Sequence, residues 1–415
     1  MDGKQLSLMM TILMMTSALA GCAGDDVDLD TEDGGYEYAS NVDNHRMLMG
    51  DVCDVKDLSG AYDWNGVSDI YENGEHAEKS DGSYRTLKDF ADASGKNHPY
   101  DAYYGADGSL HDFVEAAISG TGPFAGESDT VRDQSVEKGI QNGVMTAYAI
   151  HELNAAIIKA EAGNWGPEDA QHAWDEGWAF YHGPDDSDYD YDGCGPYATA
   201  DKRAGNFGTV NADGTAATNV ATLAAMNAGL AAMQAEEMQG LVDARDEVLK
   251  NIVIVYSQAS VRYASKMTDD LVAGDKADYD KHQAEGHSFY RVIEAYVAEY
   301  TSICYNMVSH TVSSDISQAS CEAYMYLENY TSQNSDGEFT GCYNSVTHAQ
   351  HEGMSEEECN AFGWYANYYS DKIVAMFDLT NNGDASADYE ADIRAWLQPA
   401  WDHYGITSAD IGTLQ

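Results

Sequence analysis

Two short stretches carry the same chemistry. Glu176-Gly-Trp-Ala-Phe-Tyr181 recurs as Glu285-Gly-His-Ser-Phe-Tyr290, and each has a histidine one turn ahead, His172 before Glu176 and His282 before Glu285. On a helix, residues three or four apart share a face, so each stretch can present an imidazole and a carboxylate to one point. The glycine after each glutamate lets a second backbone or a ligand come close. If the two copies faced one another, Glu176, Glu285, His172, His282 and the phenols of Tyr181 and Tyr290 would converge. Such an oxygen- and nitrogen-rich set suits iron, manganese or zinc, and with tyrosine included it suits ferric iron best. A single histidine one turn from a glutamate is usually a surface pair or a satisfied core residue; the repetition is what argues for a ligand set. His151 and Glu152 are adjacent and diverge around their helix, so one of them at most is expected to join, and His151 is the candidate.

These residues need helices to position them. Apolar residues at helical spacing predict a helix over Ser109 to Ser119 and another from Val131 to about Ala162, stopped by Gly163. A third starts at Pro167 with acids in its first turn and runs past Tyr181 to Gly183-Pro184. Further helices are expected over Ala216 to Met238, Leu241 to Met267 and about Asp275 to Tyr305, and the tail reads as partly helical. Tyr148 precedes Glu176 by about the interval at which Tyr256 precedes Glu285, so a duplicated helical hairpin is expected. No useful strand alternation appears. The fold class is therefore all-α, a helical bundle with long irregular loops and disulfides.

The 415 residues include 71 Asp and Glu against 21 Lys and Arg, a formal net charge of −50. This repels nucleic acid phosphates and anionic lipid surfaces, which argues against nucleic acid as a partner. It fits a solvating surface in a salty medium or one that gathers cations. Residues 1–21 read as a lipoprotein signal peptide, with Lys4, an apolar run and Leu19-Ala20-Gly21 before Cys22, the expected lipid anchor. Residues 22–40 are expected to be an acidic tether. A helical domain over 41–303 and a disulfide-bearing part over 304–415 packed on it complete the division. The other six cysteines, an even number in an exported chain, favour disulfides. Cys304 with Cys321 and Cys342 with Cys359 have equal spacing, leaving Cys53 for Cys194, one of fifteen connectivities. Calcium is a weaker cation candidate. Asp188-Tyr-Asp190-Tyr-Asp192-Gly193 and Asp378-Leu-Thr-Asn-Asn382-Gly383 both open like calcium loops, but Thr199 and Tyr389 stand where the closing carboxylate belongs.

Three segments together, Asp175–Gly183, Pro196–Thr209 and Ala284–Val297, resemble the low-iron-inducible periplasmic, iron-assimilating proteins. The likeness covers roughly Val131 to Val297. It implies a largely helical protein acting in iron acquisition outside the cytoplasm, with Asp175, Glu176, Tyr181, Glu285 and Tyr290 in the matching motifs. His282-Gln-Ala-Glu285 is more remotely similar to the His-x-x-Glu element of imelysin-like helical proteins, although Asp280 replaces their glycine. The expectation is an exported lipoprotein, in the periplasm or on the cell surface. It would bind ferric or ferrous iron and hand it to a membrane transporter, touching the membrane only through its lipid. A metal-dependent enzyme, either a ferroxidase or an imelysin-like hydrolase, and a non-metal structural or adhesion lipoprotein are the alternatives.

Overall fold

The computed structural model describes residues 32–96, 98–185, 193–313, 316–331 and 338–415. The expected signal peptide, Cys22, most of the tether and the opening of the first calcium-like loop lie outside the described residues. Two long antiparallel helical hairpins form the centre. Met145–Glu161 pairs with Ala170–His182, and Met238–Ala273 pairs with Lys276–Val297. The second hairpin turns where Gly274 takes a left-handed φ of 72°, and the Asp275 side chain then accepts from Asp278 N to start the next helix. A third helix, Ala217–Gln234, lies along Met238–Ala273. Its run of small residues has a specific use: a Cβ on Gly229 would stand 2.1 Å from the Trp174 ring. The missing side chain lets the fully buried indole lie on the helix and donate from Nε1 to the Met226 carbonyl at 2.9 Å.

The fold is all-α in class and carries the duplicated hairpin. Tyr148 and Phe180 pack at 5.0 Å between ring centroids in the first hairpin, as Tyr256 and Phe289 do at 6.2 Å in the second. The repeated glycines meet different neighbours. A Cβ on Gly177 would press on Leu153 at 2.8 Å, within its own hairpin, whereas one on Gly286 would strike Phe377 at 2.0 Å, from a helix near the C-terminus. Ahead of the first hairpin the chain passes through a buried π-helical turn, Gly139–Val144, which advances the register of the helix that follows. Among the described residues, no helix is long and apolar enough to cross a membrane.

Two expectations are corrected. The tether does not extend to residue 40, because Glu32–Asp33 and Tyr36–Glu37 form a small hairpin whose Asp33, Tyr36 and Tyr38 are buried. The C-terminal part also contains strands. Val312–Ser313, Ile303–Asn306 and Phe362–Tyr365 make one three-stranded sheet; Tyr324–Thr331, Glu338–Asn344 and Gln350–His351 make another. All three cysteine pairs, Cys53–Cys194, Cys304–Cys321 and Cys342–Cys359, are bonded. The last two belong to a second internal repeat, since Cys304-Tyr-Asn306 with His310 and Cys321 matches Cys342-Tyr-Asn344 with His348 and Cys359. The copies interlock. Asn306 Nδ2 donates to the Glu358 carbonyl at 2.7 Å, Asn344 Nδ2 donates to the Ser320 carbonyl at 2.6 Å, and Tyr324 stacks on Phe362 at 4.0 Å. After this module, Tyr368–Phe377 and Tyr389–Tyr404 return to the bundle and place Ile373, Phe377, Ile393, Leu397 and Trp401 in the main core.

Candidate metal centre

Glu176 is the hub. Its Oε1 lies 3.1 Å from His172 Nε2, one turn earlier on the same helix, and 3.1 Å from Nε2 of the buried His45, which comes from the short helix Asp43–Arg46. Glu152, from the partner helix of the hairpin, hydrogen-bonds to Glu176. Two carboxylates and two imidazoles thus meet in a pocket that leaves 12 % of the Glu176 side chain and 33 % of His172 exposed.

The electrostatics separate the two carboxylates. Burial and the neighbouring Glu176 push the Glu152 carboxyl well up, so it keeps its proton and donates to Glu176. Burial also acts to raise Glu176, but the His172 hydrogen bond and the His45 ring outweigh it and hold it low. His172 is raised by its hydrogen bond to Glu176, against burial. His45 is pushed down to about 4 by burial, so at neutral pH it donates from Nε2 to Glu176 as a neutral ring. Its Nδ1 is buried without a partner.

A second layer holds these groups. Asp175 is fully buried and accepts from Tyr36 Oη at 2.7 Å, Ala39 N at 3.0 Å and Ser40 Oγ at 2.7 Å. Because the Ser40 proton goes to Asp175, Ser40 Oγ is left to accept from His172 Nδ1 at 2.9 Å, which fixes that ring with Nε2 toward Glu176. Arg46, next to His45, is bound by Asp33, which also accepts from Tyr38 Oη at 2.8 Å. The N-terminal hairpin is thereby tied to the site.

The other expected ligands fall elsewhere. Glu285 is buried beside Tyr263, Lys138 and His282, whereas Glu176 faces His172, His45 and Glu152. His282 is turned to Asp270, at 2.6 Å. Tyr181 Oη donates to Asn219 at 2.7 Å and Tyr290 Oη to Ser370 at 2.7 Å; both phenols are buried and taken up in the core. His151 stacks on His98 at 4.4 Å, beside the cluster. In the second calcium-like loop, Asp378 accepts from Thr380 N at 2.8 Å and Asn381 from Gly383 N at 2.9 Å, the hydrogen bonds of ordinary turns.

Among the described residues, no three His, Cys, Asp or Glu side chains stand in a ready-made ligand arrangement. The groups around Glu176 are at hydrogen-bond distance, whereas ligands close to roughly 2 Å around a common ion. The donor set fits a cation of intermediate hardness, whose entry would replace the proton between the carboxylates and the hydrogen bonds to the rings.

The architecture is that of a helical protein with an acidic surface and a buried carboxylate–imidazole cluster. The profile of the family described as low iron-inducible periplasmic protein matches residues 9–300, and the chain belongs to that family. No curated protein and no solved structure matches it. The match stops just before the disulfide module.

Proposed function

We propose that the protein binds iron for acquisition outside the cytoplasmic membrane, with Glu176, Glu152, His45 and His172 as ligands. Delivery to a membrane transporter and attachment through a lipid on Cys22 complete the proposal; these rest on the N-terminal sequence and the family. The observation that carries the reading is the meeting of Glu176 with His45 and His172, each at 3.1 Å, and with Glu152 from the partner helix, in a largely buried cluster that His172 opens to solvent. A cation there would replace the proton between the carboxylates and draw the four side chains in from hydrogen-bond distance. The acidic surface raises the local cation concentration.

The test is iron titration of the purified chain alongside Glu176→Gln and Glu285→Gln. Loss of at least tenfold in affinity in Glu176→Gln, with Glu285→Gln close to the parent, is the expected result. Equal affinity in Glu176→Gln and the parent refutes the assignment.

A further inference from the structure

The disulfide module lies beyond the family match and has no part in the reading above. Three of the four outer strands of its two sheets are short: Val312–Ser313 and Gln350–His351 have two residues each, and Phe362–Tyr365 has four. Tyr324–Thr331 has eight and pairs on one side only, with Glu338–Asn344. An edge strand presents unpaired amides and carbonyls to any extended chain, and proteins blunt such edges with lysine, proline, bulges or brevity. Residues 324–328, Tyr-Met-Tyr-Leu-Glu, contain neither lysine nor proline, and the bulge comes only after Leu327. One disulfide joins the chain at Cys321, shortly before this stretch, and another at Cys342, opposite Tyr326, so the edge is held in place before any partner arrives.

The register fixes which backbone groups face outward. Ser345 N donates to the Ala323 carbonyl at 3.0 Å, and in the same register Met325 lies opposite Tyr343 and Leu327 opposite Gly341. Residues of an antiparallel strand alternate between bonding their partner and turning their N–H and C=O away. Ala323, Met325 and Leu327 therefore bond inward, and Tyr324 and Tyr326 turn their backbone groups to the open side. Among the described residues, no backbone group bonds to Tyr324 or Tyr326 from that side. Met325 and Glu328 are exposed and Tyr324, Tyr326 and Leu327 half-buried, so none of the five is covered.

Side chains and charge define what this edge accepts. Among the described residues, six of the twelve large apolar side chains that are exposed fall within this module, Met325 at 42 % among them, so apolar surface is left uncovered here more than elsewhere. Residues 303–365 contain nine Asp and Glu and no Lys or Arg. A second copy of the chain would bring the same acidic module and a net charge of −50, which opposes self-pairing. We propose that Tyr324–Glu328 is a docking edge that adds one strand from a partner protein, an extended segment in which Lys or Arg alternate with apolar residues. The outward N–H and C=O of Tyr324 and Tyr326 supply the main-chain hydrogen bonds, Met325 the apolar contact, and Glu328 the charge for a basic side chain.

The probe is an alternating Lys-Val peptide added to the full chain in about 0.15 M salt. Binding is read by fluorescence anisotropy and by hydrogen exchange over residues 322–328. A second peptide of the same sequence with every backbone amide N-methylated keeps the charge and the side chains but cannot donate to a strand. Tyr326→Pro removes one outward N–H from the edge and leaves the inward ladder its donors. Slowed exchange over 322–328 with the plain peptide, and binding at least tenfold weaker both for the methylated peptide and for Tyr326→Pro, support the proposal. Equal binding of the two peptides overturns it, because the acidic surface alone then accounts for the attraction. Parent affinity in Tyr326→Pro, or no binding of the plain peptide, also overturns it. Exchange that slows there with rising chain concentration and no peptide gives the edge to a second copy and overturns it as well. Thermal melts check that Tyr326→Pro is folded, and if it is not, the methylated peptide decides.

Discussion

Gly229→Ala and Gly205→Ala make the same chemical change and should move stability in opposite directions. A Cβ at Gly229 would lie 2.1 Å from Trp174 Cζ2 and 2.6 Å from Cε2, far inside contact distance. The indole is fully buried and cannot swing into solvent, so ring, helix or both must shift. Overpacking of this kind costs about 1–3 kcal/mol. Weakening the Trp174–Met226 hydrogen bond adds about 1 kcal/mol. The helix-propensity gain of alanine over glycine returns about 1 kcal/mol. The net expectation is a loss of about 1–3 kcal/mol. At Gly205, in the helix Gly195–Phe207, the added carbon meets nothing within 4 Å, and only the propensity gain remains, about 0.5–1 kcal/mol of stabilisation. Urea denaturation of both variants and the parent reads the difference directly. Trp174 immediately precedes Asp175 and Glu176, so Gly229→Ala should also weaken iron binding while Gly205→Ala leaves it unchanged. If the two variants shift the midpoint in the same direction, the argument that Trp174 seats the site helix on Gly229 is wrong.

Asp175→Asn replaces one acceptor oxygen with a donor facing Tyr36 Oη or the Ala39 and Ser40 donors, which frees Ser40 from its role toward His172. Iron affinity should fall by about 10–100-fold, as for other residues that orient a ligand; titration giving the parent affinity would show that the Ser40 relay does not position His172. Acid should destabilise the fold through His45. Burial lowers its folded value to about 4 from an ordinary 6.5, so the unfolded chain binds the proton more readily, and the stability present above pH 6.5 is lost as pH falls toward 4. For this buried ring the loss is about 3 kcal/mol. Melts of the parent and His45→Gln between pH 7 and pH 4.5 should show a shallower pH dependence in the variant; identical slopes would mean that His45 is not the group titrating.

The helices and their pairing were legible because they depend on local signals: apolar periodicity, Gly163 as a stop, and the Glu-Gly-x-x-Phe-Tyr echo. His172 and Glu176 were legible for the same reason, being one turn apart. His45 was not, because it lies in a stretch without a clear periodic pattern and reaches Glu176 only through tertiary contact. Glu152 is hard to read from the sequence because it adjoins His151, and adjacent residues diverge on a helix. The divergence is real, but both directions are occupied, with His98 on one side and Glu176 on the other. The strands of the disulfide module are short and pair across two copies, so no single segment shows the alternation that marks a strand. The Cys-Tyr-Asn repeat was nevertheless visible in the residues and would have pointed to it.

The duplication also explains why a single site is expected from two matching motifs. Aligning Tyr256 with Tyr148 puts Ala259 and Ser260 where the first hairpin has His151 and Glu152. Both are fully buried, and Ser260 Oγ turns back to the Tyr256 carbonyl at 2.7 Å. The second hairpin therefore offers Glu285 no carboxylate at the position of Glu152, and its neighbours include Lys138 and Tyr263. Burial outweighs the Lys138 ammonium and the Tyr263 phenol and raises the Glu285 carboxyl, and a cation there would bring positive charge against Lys138. The two copies kept the same helical frame. Ligand chemistry depends on the residue four positions after the tyrosine, and only the first hairpin has a carboxylate there.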